Sequence, residues 1–265
     1  MTDPEIQPDN VPASSSSVVA VRWQYGPQPS FYYFVRRLLK IVFAPLYRWE
    51  VHGYEHVPIE RTVSSELGLD TIEAKPVPMI IAPNHSSMLD VFAVGLVMPR
   101  PQTWMGKAPV MKHRLLAAIF RRLGAIPVLR KQDLERQHEF REAHDPEVAL
   151  VLMEPHLEAG YAAVIFPGGT RRHGGEKGEI KTGAARLALK TGVIILPYGI
   201  AGIDKGELRR RSVWPPFRRR VVCHIGEPID PAHFRHHADP VRALTATLGE
   251  SLEACRLAAY EQLQG

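Results

Sequence analysis

Large apolar residues at Phe31, Phe34, Val35, Leu38, Leu39, Val42, Leu46 and Trp49 recur at steps of three and four, with Arg36, Arg37 and Lys40 clustered elsewhere. That period predicts an amphipathic helix over residues 30–50, bent or ended near Pro45. Such a helix can pack on a core with a solvated basic face, or lie in a lipid interface as a membrane-associating element, and separate faces can do both. Upstream, residues 1–29 include PDNVPASSSS and few large apolar side chains. Burial cannot offset the entropy of ordering such a segment, so a disordered leader is expected.

Beyond this point, short apolar runs alternate with helical spacing. Buried strands are predicted at PMIIAP (78–83), AAVIFP (162–167), VIILPYGI (193–200) and RRVVCHIGEP (219–228). TWMG (103–106) is a shorter candidate, and IPVLR (126–130) reads as an edge strand or extended segment. Helices are predicted at VFAVGLVM after Asp90, at HRLLAAIFRRL (113–123) stopped by Gly124, at EVALVLMEPHLEAG with a distortion at Pro155, and at TGAARLALKTG. A last helix, Pro240 to Leu263, carries Leu244, Leu248, Leu252, Cys255 and Ala259 near one stripe. Residues 59–77 lack sustained periodicity and read as an insertion loop, and 131–146 is charged enough for a solvent-facing helix or loop. The alternation predicts an α/β fold. We expect a single catalytic domain over 51–265, with a mixed, largely parallel sheet flanked by helices and preceded by the amphipathic helix.

Composition bounds this picture without choosing a function. With 265 residues, 45% of them hydrophobic, the chain can bury one substantial core. Cys223 and Cys255 are far apart and lack zinc-site spacing, which fits a reducing compartment and no metal centre. The N-terminus MTDPEIQPDN opens acidic rather than basic, so no secretory signal is expected. The longest uncharged stretch, Thr191 to Ile203, is broken by Gly192, Pro197 and Gly199, so no bilayer-spanning helix is expected. A net charge of +5 suits an anionic lipid surface, an acidic small substrate or a nucleic acid. The run RRRSVWPPFRRR (209–220) either grips anionic head groups or is a solvated arm between strands. With no recognisable nucleic-acid module around it, a nucleic-acid partner is not expected.

Candidate chemistry sits where strands end. NHSSMLD (84–90) follows a buried strand and precedes a helix, where open α/β sheets place ligand sites. His85 can accept a proton at neutral pH if a carboxylate such as Asp90 holds its other ring nitrogen. The two meet only if His85 lies in the loop and Asp90 in the first helical turn. The competing reading is an S-x-x-D capping box made by Ser87 and Asp90, with His85 an ordinary hydrogen-bonded loop residue. FPGGTRR (166–172) also closes an apolar strand: Gly168 and Gly169 permit close backbone approach, and Arg171 offers a bidentate contact to phosphate or carboxylate. Arg130 at the end of LGAIPVLR, and Lys107 after TWMG, are further anion ligands or plain surface cations.

In this order and spacing the segments resemble the glycerolipid acyltransferase family that includes the 1-acylglycerol-3-phosphate acyltransferases. NHSSMLD is similar to its N-H-x4-D block, LGAIPVLR to its second block, FPGGTR to F-P-E-G-T-R, and VIILP, ending at Pro197, to its fourth. The resemblance covers roughly 31–264, leaving out the leader and the 59–77 loop. It implies an O-acyltransferase in which His85 deprotonates an acceptor hydroxyl that attacks the thioester of acyl-CoA or acyl carrier protein, with no acyl-enzyme and no cofactor. Asp90 would orient His85, while Lys107, Arg130, Thr170 and Arg171 would hold a phosphorylated lysophospholipid such as 1-acyl-sn-glycerol 3-phosphate. Backbone N–H groups around Gly168 and Gly169 are expected to steady the oxyanion. A peripheral location on the inner, cytoplasmic face of the membrane follows. Gly168 departs from the family, which usually has glutamate there; another lipid alcohol as acceptor, or a noncatalytic lipid-binding member of the fold, are the alternatives this raises.

Overall fold

The computed structural model describes residues 27–66, 69–98, 100–107, 113–128, 146–169, 179–204 and 218–265. Helix α1 (Pro29–Phe43) leads into strand β1 (Tyr47–His52), a single 3-10 turn at Tyr54–His56, and an antiparallel ribbon of β2 (Ile59–Glu66) and β3 (Leu69–Pro76). There follow β4 (Met79–Pro83), α2 (Asp90–Val97), β5 (Gln102–Lys107), α3 (Arg114–Arg122), β6 (Ala125–Val128) and α4 (Pro146–Glu158). The chain closes with β7 (Ala162–Val164), α5 (Gly183–Thr191), β8 (Ile195–Ala201), β9 (Arg219–Ile225) and the long α6 (Pro240–Gln264).

Seven strands form one sheet in the order β1-β9-β8-β4-β7-β5-β6. Every pairing is parallel except β8 with β9, so the sheet is mixed and mostly parallel as expected. β4 is buried along its whole length because it lies mid-sheet with both faces covered. Its residues alternate between two cores: Ile80 and Ala82 pack with α4, α5 and α6, whereas Met79 and Ile81 pack with α2 and β1. The stripe predicted on the last helix is buried as Leu244, Leu248, Leu252, Cys255 and Ala259. That helix crosses β8 so closely that a Cβ at Gly199 would overlap the carbonyl oxygen of Cys255, which is why this strand position is glycine. β6 is an edge strand, as its sequence predicts.

Two expectations fail. The amphipathic helix ends at Phe43, and Leu46 and Trp49 belong to a turn and to β1. Pro45 breaks the helix, and the alternation of YRWEVH then suits a strand pairing with β9. Residues 59–77 are no loop but mostly ribbon, with Val63 and Ile72 register partners in its antiparallel ladder. Buried Arg100 clamps its base, donating to the carbonyl oxygens of Pro58 and Val77 at the two ends of the ribbon.

α1 also presents its faces differently from the sequence stripe. Tyr32 is buried, and Arg36 donates to the carbonyl oxygens of Gly95 (3.1 Å) and Leu96 (2.9 Å), capping the C-terminus of α2. Arg36 is thus spent on the protein. Phe34, Leu38, Ile41 and Val42 remain exposed on the other side. The leader up to residue 26, the segment 131–145 and most of the basic run at 209–220 lie outside the described residues. At the end of that run, Arg220 pairs in bidentate fashion with Glu50 (3.1 and 2.8 Å), joining β9 to β1.

Candidate active site

β4 ends at Pro83, and the next residue sets the geometry of the site. Asn84 donates its backbone N–H to Tyr198 (3.1 Å), donates its amide to the Ile200 carbonyl (3.1 Å), and accepts the Ile200 N–H (2.6 Å). Its side chain therefore extends the β4–β8 ladder by one step and pins the start of the loop. Sequence reasoning quoted Asn84 within the motif but gave it no task; an amide directly after a buried strand was the available signal.

His85 then turns onto the carboxyl end of the sheet, where its Nδ1 donates to Asp90 Oδ2 at 2.8 Å. The same oxygen accepts the backbone N–H of Ser86 (2.7 Å) and of Ser87 (2.8 Å), while Ser87 Oγ accepts the Leu89 N–H (3.2 Å). Asp90 is fully buried, and this carboxylate is retained there because three donors replace its water. With Nδ1 donating, Nε2 carries the lone pair. The His85 side chain is 16% exposed, leaving one edge of the ring open.

β7 is the parallel neighbour of β4, so its end falls beside His85: the rings of His85 and Phe166 lie 4.3 Å apart, centroid to centroid. Pro167, Gly168 and Gly169 turn away from there. Gly169 has φ 64°, a conformation that favours glycine, and its N–H donates to the Phe166 carbonyl (3.0 Å). That N–H is committed to the turn, which corrects the expectation that it faces an oxyanion. Gly168 N–H meets no acceptor among the described residues.

A cation that sequence reasoning missed lies against this turn. The Lys181 N–H donates to the Pro167 carbonyl (2.9 Å), and a Cβ on Gly169 would sit 3.0 Å from Lys181 Cε and 3.3 Å from its Nζ. The only sequence signal was a lysine just before the TGAARLALK helix. Lys107 ends β5 on the same edge of the sheet, one strand beyond β7, and is exposed. Arg130, Thr170 and Arg171 lie outside the described residues.

Both thiols are free and buried; burial pushes Cys223 up to about 12 and Cys255 up to about 11, so neither is a thiolate nucleophile at neutral pH. Among the described residues no three His, Cys, Asp or Glu side chains gather in a metal-binding group.

A buried carboxylate, an imidazole oriented by it, and an adjoining glycine turn thus meet at the carboxyl edge of an α/β sheet, an arrangement with the chemistry to take a proton from a hydroxyl. The pattern of the acyltransferase family matches residues 48–201, more than half of the chain, and the chain belongs to that family. Over 176 residues it is 25% identical to a chloroplastic 1-acyl-sn-glycerol-3-phosphate acyltransferase of Arabidopsis thaliana, covering 66% of this chain and 42% of that one. A chloroplastic counterpart from Brassica napus is 24% identical over 179 residues, covering 66% and 44%. The match therefore spans less than half the length of these curated relatives. In fold the chain is similar to the crystal structure of the 1-acyl-sn-glycerophosphate acyltransferase PlsC of Thermotoga maritima. The TM-score is 0.59 at 20% identity, over 87% of this chain and 79% of that one.

Proposed function

We propose that this protein transfers a fatty acyl group from the thioester of acyl-CoA or acyl carrier protein to the hydroxyl of a lysophospholipid, 1-acyl-sn-glycerol 3-phosphate being the favoured acceptor. The observation that carries this reading is the 2.8 Å contact between His85 Nδ1 and Asp90 Oδ2, held by two further backbone donors. His85 Nε2 takes the proton of the acceptor hydroxyl as its oxygen attacks the thioester carbonyl carbon. Asp90 stabilises the imidazolium that forms. As the tetrahedral intermediate collapses the C–S bond breaks, and His85 returns its proton to the departing thiolate, giving an ester and a free thiol. By family likeness the acyl group passes directly, and neither buried cysteine serves as a carrier.

Gly168 N–H is the donor we assign to the oxyanion. Lys107, Arg130, Thr170 and Arg171 are assigned to the acceptor phosphate by family likeness, and Lys181 joins them by its place against Gly169. With Gly168 in place of the usual glutamate, this turn carries cations without that carboxylate, which favours an anionic acceptor over a neutral lipid alcohol. The enzyme works as a peripheral protein on an anionic, cytoplasmic membrane face, which it meets through the exposed side of α1. No described helix is long and apolar enough to cross a membrane.

Thiol release from acyl-CoA in the presence of lysophosphatidic acid, compared between the wild-type protein and His85→Ala, tests the assignment. Release lost in the variant supports it. Equal release in both proteins removes His85 from the mechanism. No release by the wild type with any of a panel of lyso-lipid acceptors would make the protein a lipid binder on this fold.

A further inference from the structure

Thirteen large hydrophobic side chains are markedly exposed in the described structure, and seven of them lie on just two helices, α1 and α3. Phe34 (66%), Ile41 (65%) and Leu115 (74%) are the most open. The two helices touch: the Gln28 N–H, at the cap of α1, donates to the Arg122 carbonyl at the end of α3 (2.8 Å), and the Arg122 guanidinium lies over the Phe31 ring at 5.8 Å. Neither helix contains a single Asp or Glu, while Arg37, Lys40, Arg114, Arg121 and Arg122 supply positive charge around the apolar positions.

We propose that α3 is a second membrane-contacting element, forming with α1 one apolar, cationic face that lies on an anionic bilayer. This rests on the reading of α1 as membrane-associating and extends it to a helix whose sequence was read only as part of the fold. The charge pattern selects the occupant. A second copy of the chain docked through these helices would bring two sets of cations together with no carboxylate on either helix to relieve them, whereas anionic head groups complement them. Two short helices that meet at their ends also fix the tilt of a protein on a surface, which one helix cannot do.

The test is co-sedimentation of the full chain with phosphatidylcholine vesicles, with and without phosphatidylglycerol, for wild type, Leu115→Glu and Arg114→Gln on α3, and Ile41→Glu on α1. All three positions are exposed, so unchanged thermal melts are required of the variants. Leu115→Glu is expected to weaken binding to the anionic vesicles about tenfold, as is Ile41→Glu. Arg114→Gln should weaken it about fivefold, and only when phosphatidylglycerol is present. Wild-type binding by Leu115→Glu overturns the proposal: if Ile41→Glu still loses binding, α1 alone meets the membrane, and if it does not, both readings fall. A wild-type dimer that Leu115→Glu dissociates without changing vesicle binding would instead make this a self-association face. Sedimentation needs no turnover, so its outcome stands apart from that of the acyl-transfer assay.

Discussion

Replacing Asp90 by Asn tests how this carboxylate contributes, because the structure dictates which end of the amide will face His85. The three hydrogen bonds into Asp90 all fall on Oδ2, from His85 Nδ1, Ser86 N–H and Ser87 N–H, whereas Oδ1 has only Ser86 Oγ at 3.5 Å. Two rigid backbone donors therefore hold the carbonyl end of Asn at the Oδ2 position, and the amide NH2 takes the place of Oδ1. His85 keeps its orientation and tautomer. What disappears is the negative charge that supports the imidazolium. For charge centres about 4 Å apart at an effective dielectric near 20, that attraction is about 4 kcal/mol, or roughly a thousandfold in kcat.

Stability should change less, since three charge-assisted bonds become neutral ones at a cost of about 1 to 2 kcal/mol, a few degrees in Tm. Asp90→Ala should be worse on both counts, because it strands two buried N–H groups and frees the ring. Single-turnover thiol release with acyl-CoA and lysophosphatidic acid, alongside thermal melts, separates these terms. A fall of less than about fivefold for Asp90→Asn, with a normal melt, would refute the electrostatic role and leave Asp90 as a cap alone.

Further outcomes follow from other parts of the structure. Burial lowers His156 from 6.5 to about 4, so the unfolded chain takes up a proton below about 6.5 that the folded chain refuses until about 4. Stability thus falls as pH drops through that window and levels below it, by about 3 kcal/mol in all; urea titrations of His156→Leu should lack this component. Gly199→Ala forces a methyl into the Cys255 carbonyl where α6 crosses β8, and should destabilise by about 2 kcal/mol or more in the same titration. Lys181→Met should raise KM for lysophosphatidic acid about tenfold while leaving KM for a neutral monoacylglycerol unchanged, and Lys181→Arg should restore most of it. Equal effects on both acceptors would give Lys181 a purely structural place beside Gly169.

How legible the sequence was depended on whether a signal was local. Strands buried on both faces, such as β4 and β8, announce themselves as continuous apolar runs, and the stripe on α6 shows directly in its period. β1 was hidden because Leu46 and Trp49 continue the three- and four-residue spacing of α1 past Pro45, so two short elements read as one helix. The ribbon at 59–76 escaped because it forms its own two-stranded sheet, apart from the main one, and its sequence shows no clean alternation of apolar and polar residues. At the site, His85 and Asp90 are five residues apart and could be paired by reasoning about one loop. Lys181 could not: it reaches Gly169 from twelve residues downstream, after a segment whose path the sequence does not specify.

The sequence poses capping and catalysis as alternatives for Asp90, and the geometry makes them compatible, because one oxygen accepts from the His85 ring and from two backbone N–H groups. A carboxylate shut away from water is costly unless donors surround it, and a lone imidazole N–H would offset only part of that cost. The Ser86 and Ser87 N–H groups, in the loop before α2, are the donors that make the burial tolerable. They also fix Oδ2 in space, which in turn fixes the His85 ring against rotation. These loop hydrogen bonds are therefore the means by which the carboxylate is held beside the histidine. The five-residue spacing of H-x4-D is what this requires: a helix must begin at the aspartate, and the loop before it must bring the histidine and two backbone N–H groups around a single oxygen. A substitution that shifted the start of α2 by one residue would lose these loop hydrogen bonds and the His85–Asp90 contact together, even with both residues present.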